Sequence, residues 1–137
     1  MTLIDQQLKT VLVVEDDPWM SGMLCTLLAG EGYAVTEAAT GKQGFQLAAR
    51  DVPDVVLLDL IMPGESGLDV LHRLKDSAAT CNIPVIVVSG HTKTIQANAA
   101  GRADGLIQKP FDLVELLGEV RRATQTRQRS GPIWPVD

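Results

Sequence analysis

Apolar residues recur along this chain in two registers. Short runs such as Val11-Leu12-Val13-Val14, Val55-Val56-Leu57-Leu58 and Val85-Ile86-Val87-Val88 alternate with longer stretches in which apolar side chains return every three or four positions. Short runs bounded by turn residues fit strands, and the longer stretches fit amphipathic helices. The alternation therefore predicts βα units and a parallel sheet with helices on both faces. Strands are expected near 10–15, 34–38, 54–58, 84–89 and 105–108. Near-continuous Val, Ile and Leu marks the first, third and fourth as central strands, buried on both sides. The second and fifth are shorter and more polar, as edge strands are.

The first helix is expected to begin at Pro18, with Asp17 as its N-cap. Proline costs nothing at the first helical position, where its missing N–H would be unpaired in any case. Met20, Leu24, Leu27 and Leu28 form its apolar stripe, and Gly30 or Gly32 ends it. Trp19, at its start, reads as a packing residue. A second helix is expected over 41–50 with Phe45, Leu47 and Ala48 inward, and a third over 66–76 with Leu68, Leu71 and Leu74 beside Val70. The fourth, over 92–100, has a single large apolar residue, Ile95, and so little to hold it down. The fifth follows Asp112, a further N-cap, and is expected to present Val114, Leu117 and Val120 with Leu113 and Leu116 alongside.

Length and composition narrow the class. A chain of 137 residues makes one domain able to bury a core on both faces of a sheet. No apolar run approaches the roughly 20 residues of a membrane span, and Met1 to Gln7 lacks a basic start and an apolar signal core. A cytoplasmic location is expected. Cys25 and Cys81 belong to no metal-ligand spacing and read as small packed side chains. The net charge of −5 is uneven, because residues 121–137 carry four arginines and one aspartate, leaving −8 on residues 1–120. An acidic body argues against direct nucleic-acid binding, which requires phosphate neutralisation. The organisation expected is an extension over 1–8, a domain over 9–123 and a mobile tail over 124–137.

The chemistry lies at the strand ends. The first strand runs into Glu15-Asp16-Asp17, the third ends in Asp59 before Leu60-Ile61-Met62-Pro63-Gly64, the fourth in Ser89-Gly90, and the fifth in Lys109-Pro110. Open parallel sheets place their chemistry at the carboxyl ends of their strands. Acid, acid, hydroxyl and amine should thus converge on one edge. Each has a simpler structural role available: the acids as helix-start caps, Ser89 as a cap for the next helix, Lys109 as a surface lysine before a turn.

In order and spacing, the acidic pair, Asp-x-x-Met-Pro, the strand-end Ser and Lys-Pro-Phe closely resemble the receiver domain of two-component response regulators, over about residues 9–123. The resemblance implies a flavodoxin-like, doubly wound, five-stranded parallel sheet in the order 2-1-3-4-5 with five helices. It also assigns roles. Asp59 matches the phosphoacceptor, Glu15 and Asp16 the acidic pair, Ser89 the switch hydroxyl and Lys109 the phosphoryl-binding lysine, with a cis peptide before Pro110. The implied cofactor is Mg²⁺ (or Mn²⁺), held by Asp16, Asp59 and the main-chain carbonyl of Ile61, with Glu15 acting through water; Asp17 is left to capping. The implied partners are a histidine kinase or histidine phosphotransfer domain, and a downstream protein or an effector domain outside this chain. No membrane partner is implied, and a homodimer through the fourth helix, fifth strand and fifth helix is possible.

A carboxylate can accept a phosphoryl group as an aspartyl phosphate once the repulsion between nucleophile and donor is offset. Phosphoryl transfer is catalysed mainly by positioning and charge neutralisation, which suits a hard cation with oxygen ligands and a lysine as point charge. Three crowded carboxylates raise at least one pKa without a cation, itself an argument for one. The chain departs from the family where Leu106 stands at the position of its switch aromatic, and the stretch from Ser89 to Lys109 is short. The resemblance places Ile61 and His91 at the positions that flank the approach of the hydrolytic water in the family. An apolar Ile61 therefore predicts slow autodephosphorylation, while His91 reads equally as a shield or as an exposed loop histidine. His72, on a helix face, reads as inert.

Two rival readings belong to other classes. One is a receiver-like binding module that works without phosphorylation, favoured by Leu106 and the short fourth helix. The other is an aspartyl phosphatase, disfavoured because Asp59-Leu60-Ile61 lacks the second acid and the chain is too short for a cap. A flavodoxin-like cofactor binder shares the architecture but is disfavoured by acids where a phosphate loop would stand. The resemblance therefore leads to the expectation of a switch rather than an enzyme.

Overall fold

The computed structural model describes residues 8–90 and 102–129. Five parallel strands form one sheet: β1 (Thr10–Val14), β2 (Ala34–Ala38), β3 (Val55–Asp59), β4 (Val85–Ser89) and β5 (Gly105–Gln108), in the order β2-β1-β3-β4-β5. The order reverses at β1, so the edge beyond β1 and β3 is the topological switch point. Register ties Val11 to Val55 and Asp59 to Val88, placing the strand ends level with one another. Every residue of β3 and β4 is buried, as continuous apolar runs require, whereas β2 exposes Thr36 and Glu37 at its open edge.

Strand alternation divides the core into two layers. Leu12, Val14, Val56, Leu58, Val85 and Val87 face helices α2 (Gly41–Asp51) and α3 (Gly67–Asp76). Val11, Val13, Val55, Leu57, Ile86 and Val88 face α1 (Pro18–Gly30) and the C-terminal helix (Leu113–Arg129). The helix starts are capped by short polar side chains. Asp17 accepts from Trp19 N at 3.0 Å, Thr40 from Gln43 N at 3.1 Å, Ser66 from Asp69 N at 3.3 Å and Asp112 from Glu115 N at 2.7 Å. Each satisfies an N–H that the helix itself cannot.

Two expectations are corrected. Val114 is 83% exposed and Leu113 41%, and the inward stripe of the C-terminal helix is Leu116, Val120 and Ala123. Trp19, read as packing, is 70% exposed. The C-terminal helix turns Leu116 and Val120, both within the expected set, towards the sheet and Val114 away from it. Trp19 lies off the α1 stripe of Met20, Leu24 and Leu28, which packs as expected. The C-terminal helix also continues past residue 123 to Arg129. The expected fourth helix, 92–100, and His91 lie outside the described residues. Among the described residues no helix is long and apolar enough to cross a membrane.

Between β3 and α3 the chain makes a short antiparallel ribbon, with Ile61 opposite Ser66 and Met62 opposite Glu65. Across the sheet's far edge, Asp104 closes β5 against β4: its carboxylate accepts from Val85 N at 2.8 Å and from Lys75 Nζ at 2.6 Å.

Candidate functional site

Asp59 is the last residue of β3 and is 6% exposed. Glu15 follows β1 directly, is 5% exposed, and donates its backbone N–H to Ala38 O at 3.0 Å, which ties the acidic turn to β2. Asp16 beside it is half-buried. One carboxylate oxygen from each of the three lies within 4.8 Å of the others. The parallel register of β1 and β3 produces this convergence, since both strands end at the same level.

Lys109, just beyond β5, reaches over this cluster. Its Nζ lies 3.3 Å from Glu15 Oε1 and 3.5 Å from Asp59 Oδ2, its N–H donates to Ser89 O at 2.9 Å, and the peptide to Pro110 is cis. Ser89 ends β4 and is fully buried. Ile61 N donates to Asp59 Oδ1 at 3.0 Å, so one carboxylate oxygen is held by the backbone two residues on while the other faces the lysine. The Ile61 side chain is 56% exposed at the rim. Leu106 packs half-buried against the α2–α3 side of the core.

The electrostatics follow from burial and crowding. Burial, reinforced by the Asp59 charge, pushes the Glu15 carboxyl up to about 7, against the opposing pull of the Asp17 N–H and the Lys109 ammonium. A hard divalent cation binds through several oxygen ligands, and the side-chain donors gathered here are all carboxylate oxygens. The residues present fit such an ion.

The structure thus gathers Glu15, Asp16, Asp59, Ser89 and Lys109 on one edge, places Ile61 at its rim and sets Leu106 below it; His91 is outside the described residues. Gly67, which sequence reasoning passed over, also belongs to this edge: it opens α3 with its backbone against that of Leu60. The signal that could have found it is a glycine immediately after a serine N-cap, where helix propensity gives no reason for one.

A flavodoxin-like α/β domain with an acidic pocket and a lysine at its switch edge defines a receiver-type protein. The comparisons agree: the response regulator receiver domain family matches residues 11–121, and the chain belongs to that family. It is 38% identical over 118 residues to "Response regulator PleD" of Caulobacter vibrioides, covering 84% of this chain and 26% of that protein. It is 41% identical over 134 residues to "Transcriptional regulatory protein KdpE" of Mycobacterium tuberculosis, covering 93% and 58%. The chain therefore spans between about a quarter and three-fifths of the length of these relatives. Among solved structures, a CheY-like receiver domain protein from Methanospirillum hungatei superimposes with a TM-score of 0.81 at 26% identity, covering 91% of this chain and all of that one. "DNA-binding response regulator MtrA" of Mycolicibacterium smegmatis is 34% identical over 120 residues, covering 86% of this chain and 51% of that protein.

Proposed function

We propose that this chain is a phosphorylation-dependent signalling switch that takes a phosphoryl group onto Asp59 from a histidine kinase or a histidine phosphotransfer protein. The carrying observation is the convergence of the Glu15, Asp16 and Asp59 carboxylates with Lys109 Nζ 3.5 Å from Asp59. In the transfer, the P–N bond of a phosphohistidine breaks and a P–O bond to Asp59 forms. The released imidazole nitrogen keeps the bonding pair and takes up a proton from solvent.

Asp16, Asp59 and the Ile61 carbonyl would hold Mg²⁺ (or Mn²⁺), with Glu15 acting through water. The ion, when bound, supplies neutralisation of charge on the phosphoryl oxygens. The chain's own residues do the rest. The Ile61 N–H holds one Asp59 oxygen and so orients the nucleophile, Lys109 meets a phosphoryl oxygen as a point charge, and Ser89 donates a hydroxyl hydrogen bond to another. Binding of the phosphoryl group by Ser89 and Lys109 biases the face of the fourth helix, β5 and the C-terminal helix towards its partner-binding arrangement. Leu113 and Val114, exposed apolar residues at the start of the C-terminal helix, support a protein-binding role for that helix, whether for an effector, a downstream protein or a second copy. With Leu106 half-buried where the family has its aromatic, readout runs without that ring. The acidic body favours protein contacts over direct nucleic-acid contacts for this stretch of chain.

The test is intact mass after incubation with Mg²⁺ and acetyl phosphate. One added phosphoryl group, absent in Asp59→Asn and in EDTA, is the expected result. A folded protein that gains none and binds no Mg²⁺ would instead be a phosphorylation-independent binding module.

A further inference from the structure

The eight residues from Leu60 to Gly67 form a closed unit. Ile61 and Met62 pair with Ser66 and Glu65, and at the open end Gly67 N donates to Leu60 O at 3.2 Å. A Cβ on Gly67 would lie 2.3 Å from Leu60 Cα and 2.7 Å from both its carbonyl carbon and oxygen. These are backbone atoms of the residue directly after Asp59, so no side chain can swing aside to admit the methyl group. Reaching ordinary carbon–carbon contact would require a displacement of roughly 1 Å. Leu60 and Met62 are anchored inward at 6% and 7% exposure, so the displacement falls on the peptide between them. That peptide carries the Ile61 N–H that holds Asp59 Oδ1.

We propose that Gly67 is a positioning residue for the phosphorylation site: its bare backbone against Leu60 sets the Ile61 peptide, and through it the direction of the Asp59 carboxylate. Gly67 touches neither donor nor cation and acts only through Leu60 and Ile61. The consequence for Mg²⁺ affinity rests on the function proposed above; the consequence for the Ile61–Asp59 hydrogen bond does not.

The experiment compares wild type, Gly67→Ala and Ile83→Ala. Ile83 is buried two residues ahead of β4, at the amino end of the sheet and away from the carboxyl-end site, so its truncation lowers stability with no change to the site residues. Two readouts are taken: native-state exchange of the Ile61 amide by NMR without metal, and Mg²⁺ affinity by calorimetry. Gly67→Ala should speed Ile61 exchange more than its loss of global stability accounts for, and raise the Mg²⁺ Kd by about 10–100-fold, the range for outer-shell changes at metal sites. Ile83→Ala should do neither. Equal Ile61 protection in Gly67→Ala and Ile83→Ala, once corrected for stability, overturns the proposal. A wild type that binds no Mg²⁺ overturns the cation reading, and the exchange data still decide the role of Gly67. If Gly67→Ala does not fold, Ser66→Ala, which removes the cap of the same turn, takes its place; unchanged Ile61 exchange in that variant overturns the proposal equally.

Discussion

Asp59→Asn should make the metal-free protein more stable. Asparagine keeps the size of the side chain and an oxygen for the Ile61 N–H, so the substitution removes charge and little else. At an effective dielectric of 20, each like-charge pair at 4.8 Å costs about 3.5 kcal/mol and the lysine pair at 3.5 Å returns about 4.7 kcal/mol. Two repulsions against one attraction leave about 2 kcal/mol in favour of the neutral side chain, falling below about 1 kcal/mol at the dielectric of water. Relief from burying a charge has the same sign. The assay is urea unfolding at pH 8 in EDTA, above the Glu15 value. With m of about 2 kcal/mol/M, a gain of about 1–2 kcal/mol moves the midpoint up by roughly 0.5–1 M. Added Mg²⁺ should stabilise the wild type, by linkage to binding, and the Asn variant much less. An Asn variant less stable than wild type in EDTA would refute the reasoning, because the Lys109 pairing would then outweigh the repulsion among the acids.

Two further outcomes are expected. The folded Glu15 carboxyl, raised from 4.5 to about 7, binds protons more tightly than the unfolded one, so its contribution to stability is present below about 4.5 and is lost as pH rises through 7. Glu15→Gln should flatten that part of the pH–stability curve in the metal-free protein, and an unchanged slope would count against it. Asp104→Ala leaves the buried Val85 N–H and the Lys75 ammonium short of a partner, a loss of about 2–3 kcal/mol in urea unfolding, mostly from the orphaned N–H. Asp104→Asn should recover most of that loss, and an Ala variant within about 0.5 kcal/mol of wild type would show that water replaces the carboxylate.

Central strands and the strand-end acids were legible in the chain because a strand buried on both faces must be apolar throughout, whereas the sheet order was implied only by the resemblance to the receiver family. The polar residue that ends it is then conspicuous. Val55 to Leu58 announce Asp59, and Val85 to Val88 announce Ser89. Helix starts were legible for a similar local reason, since Asp17 and Asp112 satisfy N–H groups that any helix leaves free. Helix faces were less so. Val114 fits the helical period, but which arc of a helix is buried depends on how it crosses the sheet. Trp19 shows that a large apolar side chain beside a correctly placed stripe can still stand in solvent. Gly67 was hidden because its need for a bare backbone comes from Leu60, on a different element. The value near 7 at Glu15 likewise belongs to no residue alone, for it arises where register brings β1, β3 and β5 to one level. The sequence by itself determined which chemical groups this domain owns and at which strand ends they stand. Only the tertiary structure decided that three carboxylates share one pocket under Lys109, because that follows from the parallel pairing of strands distant along the chain.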